Sequence, residues 1–108
     1  MTVWSCVKMR IRYSEKTMKM TATAVRKTAL PCPASQNYKL TPAQLDAALA
    51  KKPKVFLFNN PNNPTGMAYT KAEIEALAAV LVKHTDTWIV CDDIYNRMVF
   101  DGLGYHNF

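Results

Sequence analysis

The chain has 108 residues, with 14 lysines and arginines against 8 aspartates and glutamates, a formal charge of +6, and 49% apolar content. That length holds one small domain with a modest core, and the balance of residue types is that of a globular chain, not a disordered one. The charge is no nucleic-acid signature, because residues 1–30 carry seven basic residues against the single acid Glu15, while the remainder is neutral. A basic leader therefore precedes a neutral body, and the leader lacks the interleaved aromatic and glycine patterning of nucleic-acid binders.

Residues 1–30 show no sustained period of 2 or 3.6 and read as weakly structured or poorly ordered. They have no apolar core of a secretory signal. They are acid-poor, as a transit peptide is, but contain little serine and no amphipathic face. Nowhere does an apolar run approach the roughly 20 residues that span a bilayer. Cys6, Cys32 and Cys91 are odd in number and widely spaced, without a C-x-x-C pair, so free thiols in a reducing, cytoplasmic setting are expected.

The body, residues 31–108, is easier to read. Pro31 and Pro33 break whatever precedes them. Thr41-Pro42-Ala43-Gln44 reads as a helix start, with a capping threonine, proline at the first helical position and glutamine three residues after the cap. A short helix through Leu45, Ala48 and Leu49 should end near Lys51 to Pro53. Lys54-Val55-Phe56-Leu57-Phe58 is a compact apolar run, as expected of a strand buried on both faces of a parallel sheet. Thr70-Lys71-Ala72-Glu73 is a second capping box, and Ile74, Leu77, Ala78, Leu81 and Val82 mark one face of a helix reaching about His84. Thr87-Trp88-Ile89-Val90-Cys91 reads as another buried strand, ending at Asp92 and Asp93. Strand, helix, strand over residues 54–92 is a βαβ unit, and the fold class is α/β with a parallel sheet and a right-handed crossover.

Ligands of open parallel sheets collect beyond the carboxyl ends of the strands. Two polar clusters fall there: Asn59-Asn60-Pro61-Asn62-Asn63-Pro64-Thr65-Gly66 after the first strand, and Asp92-Asp93-Ile94-Tyr95 after the second. Each has an ordinary reading by itself. Asparagine, proline and glycine make turns, an aspartate at a strand end caps or meets solvent, and a tyrosine packs half-buried. A Mg²⁺ pair at Asp92 and Asp93 would need further oxygen ligands that no recognisable spacing supplies.

Taken together, N-P-x-N-P-T-G after one strand and D-D-I-Y after the next resemble the class I/II aminotransferases of fold type I, which use pyridoxal phosphate. The likeness runs from about Pro33 to Gly102 and includes YKLTPAQLDAAL, YTKAEIEALAAVLVKH and VFDG. It implies that residues 31–108 are part of a cofactor-binding large domain and that residues 1–30 are a separate, unmatched segment. It implies transfer of an amino group between an amino acid and a 2-oxo acid, with a homodimer for the full-length family. By the same resemblance Asp92 is the carboxylate that keeps the pyridine nitrogen protonated, while Asn63 and Tyr95 hydrogen-bond the phenolic oxygen on the other rim of the ring. Pro64 would fix the loop through a cis Asn63–Pro64 bond, Thr65 and Gly66 would shape the turn, and Asp93 is structural.

The family's Schiff-base lysine has no counterpart at a matching position, and neither has its phosphate loop or the arginine that binds substrate carboxylate. No catalytic residue is therefore assigned, and a truncated or frame-shifted product, inactive alone, is the expectation. Two other readings stay open: a non-catalytic interaction module using the basic N-terminal segment, and an unrelated α/β enzyme with a metal at Asp92 and Asp93.

Overall fold

The computed structural model describes residues 28–108. Expectations for the basic segment and for Cys6 fall outside them, apart from residues 28–30. A 3-10 turn at Ala34–Gln36 leads into helix α1 (Pro42–Leu49), strand β1 (Val55–Asn59), helix α2 (Lys71–Leu81) and strand β2 (Trp88–Asp92).

Both helices begin where their capping boxes place them. The Thr41 hydroxyl accepts from the Gln44 amide at 3.3 Å, and the Gln44 side chain accepts from the Thr41 amide at 3.0 Å. The Gln44 side chain also donates to the Pro31 carbonyl at 3.0 Å, tying the entering chain to the cap. At α2 the Thr70 hydroxyl accepts from the Glu73 amide at 3.3 Å, while the Glu73 carboxylate accepts from the Thr70 amide at 2.7 Å. Glu73 adds a negative charge in the first helical turn, where the dipole favours it. Lys39 clamps that carboxylate through both oxygens, at 3.0 and 2.8 Å. Burial works to raise the Glu73 carboxyl, and the bonds from Lys39 and Thr70 outweigh it and hold the group below its ordinary value.

The two strands are parallel, with Val55 opposite Trp88 and Asn59 opposite Asp92. Both therefore end at the same edge of the sheet. One core cluster joins Leu45 and Leu49 of α1, Ile74, Leu77, Val80 and Leu81 of α2, and Phe56 and Phe58 of β1, with Cys32, Leu40 and Tyr69 completing it. Leu45 and Leu77 are almost wholly enclosed. The α1–α2 contact is supplemented by a 2.8 Å bond between His84 Nε2 and Asp46.

Three expectations need correction. β1 is not buried on both faces: Phe56 and Phe58 point inward, but Val55 between solvent and sheet is half exposed. β2 has no fully buried residue, since Trp88 is 77% exposed, Ile89 and Val90 also face solvent, and Cys91 is half-buried. Among the described residues the helices share their core with one face of β1, so the second face and the outer strand have no covering layer. Cys32, finally, is disulfide-bonded, whereas Cys91 is a free thiol as expected. Spacing along the chain does not report which cysteines the fold brings together. Among the described residues no helix is long and apolar enough to cross a membrane.

Candidate functional site

Parallel pairing carries the asparagine loop and the segment after β2 to one edge, and there they meet. The Asn63 side chain donates to the Tyr95 hydroxyl at 2.9 Å, joining residues 32 apart in sequence. The sequence reading named both residues, and the structure brings them into contact. Asn63 is exposed and Tyr95 half-buried, so the pair opens to solvent. Asp92, the third named residue, lies at the end of β2 opposite Asn59. Its carboxylate accepts from the Ile94 amide at 3.4 Å. Its carbonyl accepts from the Asn60 amide and the Asn59 side chain, both at 3.1 Å.

The remaining loop residues build the support for Asn63. Asn59 accepts from the Asn62 side chain at 3.0 Å and from the Asn63 amide at 3.1 Å. The buried Asn62 accepts from the Thr65 hydroxyl at 2.8 Å, its amide donates to the Met67 carbonyl at 2.9 Å, and its carbonyl accepts from Gly66 at 2.8 Å. Gly66 has φ +71° and open space where a Cβ would sit, so backbone conformation, not crowding, calls for glycine there. Asn60, 1% exposed, donates to the His106 carbonyl at 2.7 Å and accepts from the Tyr69 amide at 3.1 Å. It anchors the loop to both the start of α2 and the end of the chain. Asn63–Pro64 is cis, as the resemblance implied, and Asn60–Pro61 is cis as well.

Asp93 faces a different neighbourhood from Asn63. It accepts from the Tyr105 hydroxyl at 3.2 Å, and Asn107 donates to that hydroxyl at 2.8 Å. Burial raises the Tyr105 phenol, and the Asp93 charge raises it further. Burial likewise pushes up the Cys91 thiol, against a bond from Asn107 and with help from Asp93. Among the described residues no group of three or more His, Cys, Asp or Glu is placed to hold a metal ion. A cavity of about 240 Å³ lies at the other end of the sheet, lined by residues including Lys52, His84 and Thr87, with none of Asn63, Asp92 or Tyr95 on its wall. The chemistry-bearing groups are thus on an open strand edge, away from that cavity.

Sequence reasoning missed the work of Asn59, Asn60 and Asn62. Four asparagines in one loop were a visible signal, but their division of labour was not: one presents its amide outward while three bond inward. The Tyr105–Asn107 pair left no sequence signal at all.

The fold and site define a parallel βαβ unit with an amide–hydroxyl pair at its carboxyl edge. Residues 11–107 match the family described as aminotransferase class I and II, and the chain belongs to that family. That match begins upstream of Pro33. The chain is 52% identical over 68 residues to an aspartate/prephenate aminotransferase of Cereibacter sphaeroides, covering 63% of this chain and 17% of that protein. It is 48% identical over 69 residues to an asparagine–oxo-acid transaminase of Streptococcus mutans, covering 64% of this chain and 17% of that one. Among solved structures, the aspartate aminotransferase of Rhizobium meliloti superposes with a TM-score of 0.63 at 39% identity, covering 67% of this chain and 18% of its own. The chain thus spans less than a fifth of the length of these relatives.

Proposed function

We propose that this chain forms one wall of a pyridoxal-phosphate site serving amino-group transfer between an amino acid and a 2-oxo acid. The observation that carries the reading is the 2.9 Å bond from Asn63 to Tyr95 at the carboxyl edge of parallel strands. A side-chain amide keeps a second N–H after making that bond, and the tyrosine hydroxyl, used as acceptor, keeps its proton to donate. Two donors a hydrogen bond apart suit a single anionic oxygen, which is what the phenolate of that cofactor presents. Asp92 offers a carboxylate for a ring nitrogen, with one long backbone bond occupying only part of its acceptor capacity. The donor set therefore fits the group.

When bound, pyridoxal phosphate supplies an electron sink for charge developing at the amino acid's α-carbon. The residues of this chain orient and bind. Asn63 and Tyr95 would hold the phenolic oxygen, and Asp92 would hold the proton on the ring nitrogen. The described lysines that form ion pairs engage acids elsewhere, Lys39 with Glu73 and Lys71 with Glu75. None of the described lysines hydrogen-bonds to Asn63, Asp92 or Tyr95.

Residues 31–108 act here as part of a cofactor-binding domain, and the assembled protein is a homodimer. The donor amino acid is unspecified by this edge, and the relatives' names differ on it, from aspartate and prephenate to asparagine. A cytoplasmic setting suits chemistry on small water-soluble acids, although the Cys32 disulfide counts against it, disulfides being rare there. The interaction-module reading is not favoured, since family membership accounts for the loop and strand-end residues together.

The test is titration with pyridoxine 5′-phosphate, which keeps the phenol, ring nitrogen and phosphate but cannot react with an amine. Asn63→Ala and Tyr95→Phe should each weaken binding roughly tenfold, the scale of one hydrogen bond to a charged group. Binding that is indifferent to both substitutions would refute the reading. Mixed with pyridoxal phosphate and an amino acid, the 108-residue chain should show no amino transfer beyond that of free cofactor; turnover abolished by a lysine substitution would overturn that expectation.

A further inference from the structure

We infer that Asn59 is a positioning residue, the one side chain among the described residues that bonds both the Asn63 backbone and the β2 end bearing Asp92. The inference concerns how the proposed site is held and rests on that reading only for its consequence in ligand binding. Asn59 is the last residue of β1 and the register partner of Asp92. Its amide oxygen receives the Asn63 backbone N–H at 3.1 Å and the Asn62 side chain at 3.0 Å. Its amide nitrogen donates to the Asp92 carbonyl at 3.1 Å.

A planar amide fixes its oxygen and nitrogen rigidly with respect to each other. One end of this group grips the loop and the other grips β2, so the Asn63 backbone is placed against Asp92 through one stiff link. The Asn60 amide reaches the same Asp92 carbonyl from the main chain, at 3.1 Å, but makes no bond to Asn63. Nothing else among the described residues accepts from the Asn63 backbone. The side chain is half-buried and its hydrogen bonds go to Asn62, Asn63 and Asp92, none to Tyr95, so it acts through Asn63 and not on a ligand directly.

Nuclear magnetic resonance on the full chain tests this without any ligand. Asn59→Ala should speed exchange of the Asn63 backbone N–H roughly tenfold and shift the Asn63 side-chain NH₂ signals toward those of a free amide. The Asn60 side-chain NH₂, bonded to His106 in the same loop, should stay put. Asn59→Asp keeps the accepting oxygen and should restore protection of the Asn63 N–H while leaving the bond to β2 broken. Unchanged Asn63 signals in the alanine variant would overturn the inference, and so would equal loss at Asn60, which marks general loosening. If the alanine variant does not fold, the aspartate variant decides, because an Asn63 N–H exchanging there as freely as in an open loop removes the proposed acceptor. A ligand arm separates the two claims. Weakening of pyridoxine 5′-phosphate binding by Asn59→Ala should vanish in an Asn63→Ala background, and additive losses would refute action through Asn63. A wild-type chain that binds no pyridoxine 5′-phosphate yet shows the expected exchange pattern would sink the cofactor reading and leave the positioning role standing.

Discussion

Tyr69 shows how one buried hydroxyl ties distant parts of this small fold. It is 3% exposed and accepts from the Leu40 amide at 2.6 Å, with the Phe58 ring tilted against its own at 5.0 Å between centroids. Burial pushes its phenol up to about 12 from 10.0, only partly offset by the Leu40 bond and reinforced by the Glu73 charge. A raised phenol means that the folded chain keeps its proton where the unfolded chain has lost it. Stability from this group is therefore complete below pH 10 and drains away as pH rises toward 12. The loss should total on the order of 2–3 kcal/mol by linkage. Denaturant midpoints measured between pH 9 and 12 should fall in the wild type and fall less in Tyr69→Phe. At neutral pH the phenylalanine variant should itself be destabilised by roughly 1–3 kcal/mol, because the buried Leu40 N–H loses its acceptor. Equal alkaline slopes in the two proteins would show that another group titrates.

At the scale of elements, each helix is set by a local box and held by one packed face. Removing a cap hydroxyl should cost about 1 kcal/mol, so Thr41→Ala and Thr70→Ala are expected to lower the thermal midpoint comparably by their caps alone. Thr70→Ala should have the larger effect. Each hydroxyl also donates to its box partner at 3.1 Å, but Thr41 meets the neutral Gln44 amide whereas Thr70 meets the Glu73 carboxylate that anchors Lys39. The rest of α2 depends on burial. Leu77 is 1% exposed, and Leu77→Ala should cost roughly 2–5 kcal/mol, more than either cap. Chemical denaturation of the three variants orders them, and a capping variant weaker than Leu77→Ala would contradict this view of the core. The helix starts were legible because capping chemistry acts within four residues. The burial of the strands was not. A continuous apolar run fits a strand covered on both sides, and only the arrangement of the helices decides whether the second layer exists.

At the scale of the whole molecule, the face left uncovered among the described residues is the dominant physical fact. Trp88 and Ile94 are exposed by 77% and 75%, with Met98 and Phe100 also largely in solvent. Exposed apolar surface beside an open strand invites association. The chain should self-associate as its concentration rises, and Trp88→Lys with Ile94→Lys should shift sedimentation toward the monomer without altering the far-ultraviolet circular dichroism. A wild type monomeric at all concentrations would argue that this face is protected. The exposure also explains why the candidate site lies open. Asn63, Asp92 and Tyr95 stand at an edge whose own strand is half unwrapped, so the chain presents donors and a carboxylate without an enclosing wall.

What the amino-acid order determined alone was local: two capped helices, the strand runs, the turn chemistry of residues 59–66, and the family those residues mark. These signals work through neighbours a few residues apart and survive without knowledge of the fold. Tertiary structure decided the rest, namely that Asn63 meets Tyr95, that Asn59 bridges to Asp92, that Cys32 is bonded, and that β2 lies bare. Each of those depends on strand register or on chain crossings over tens of residues, and such distances leave no periodic trace in one sequence.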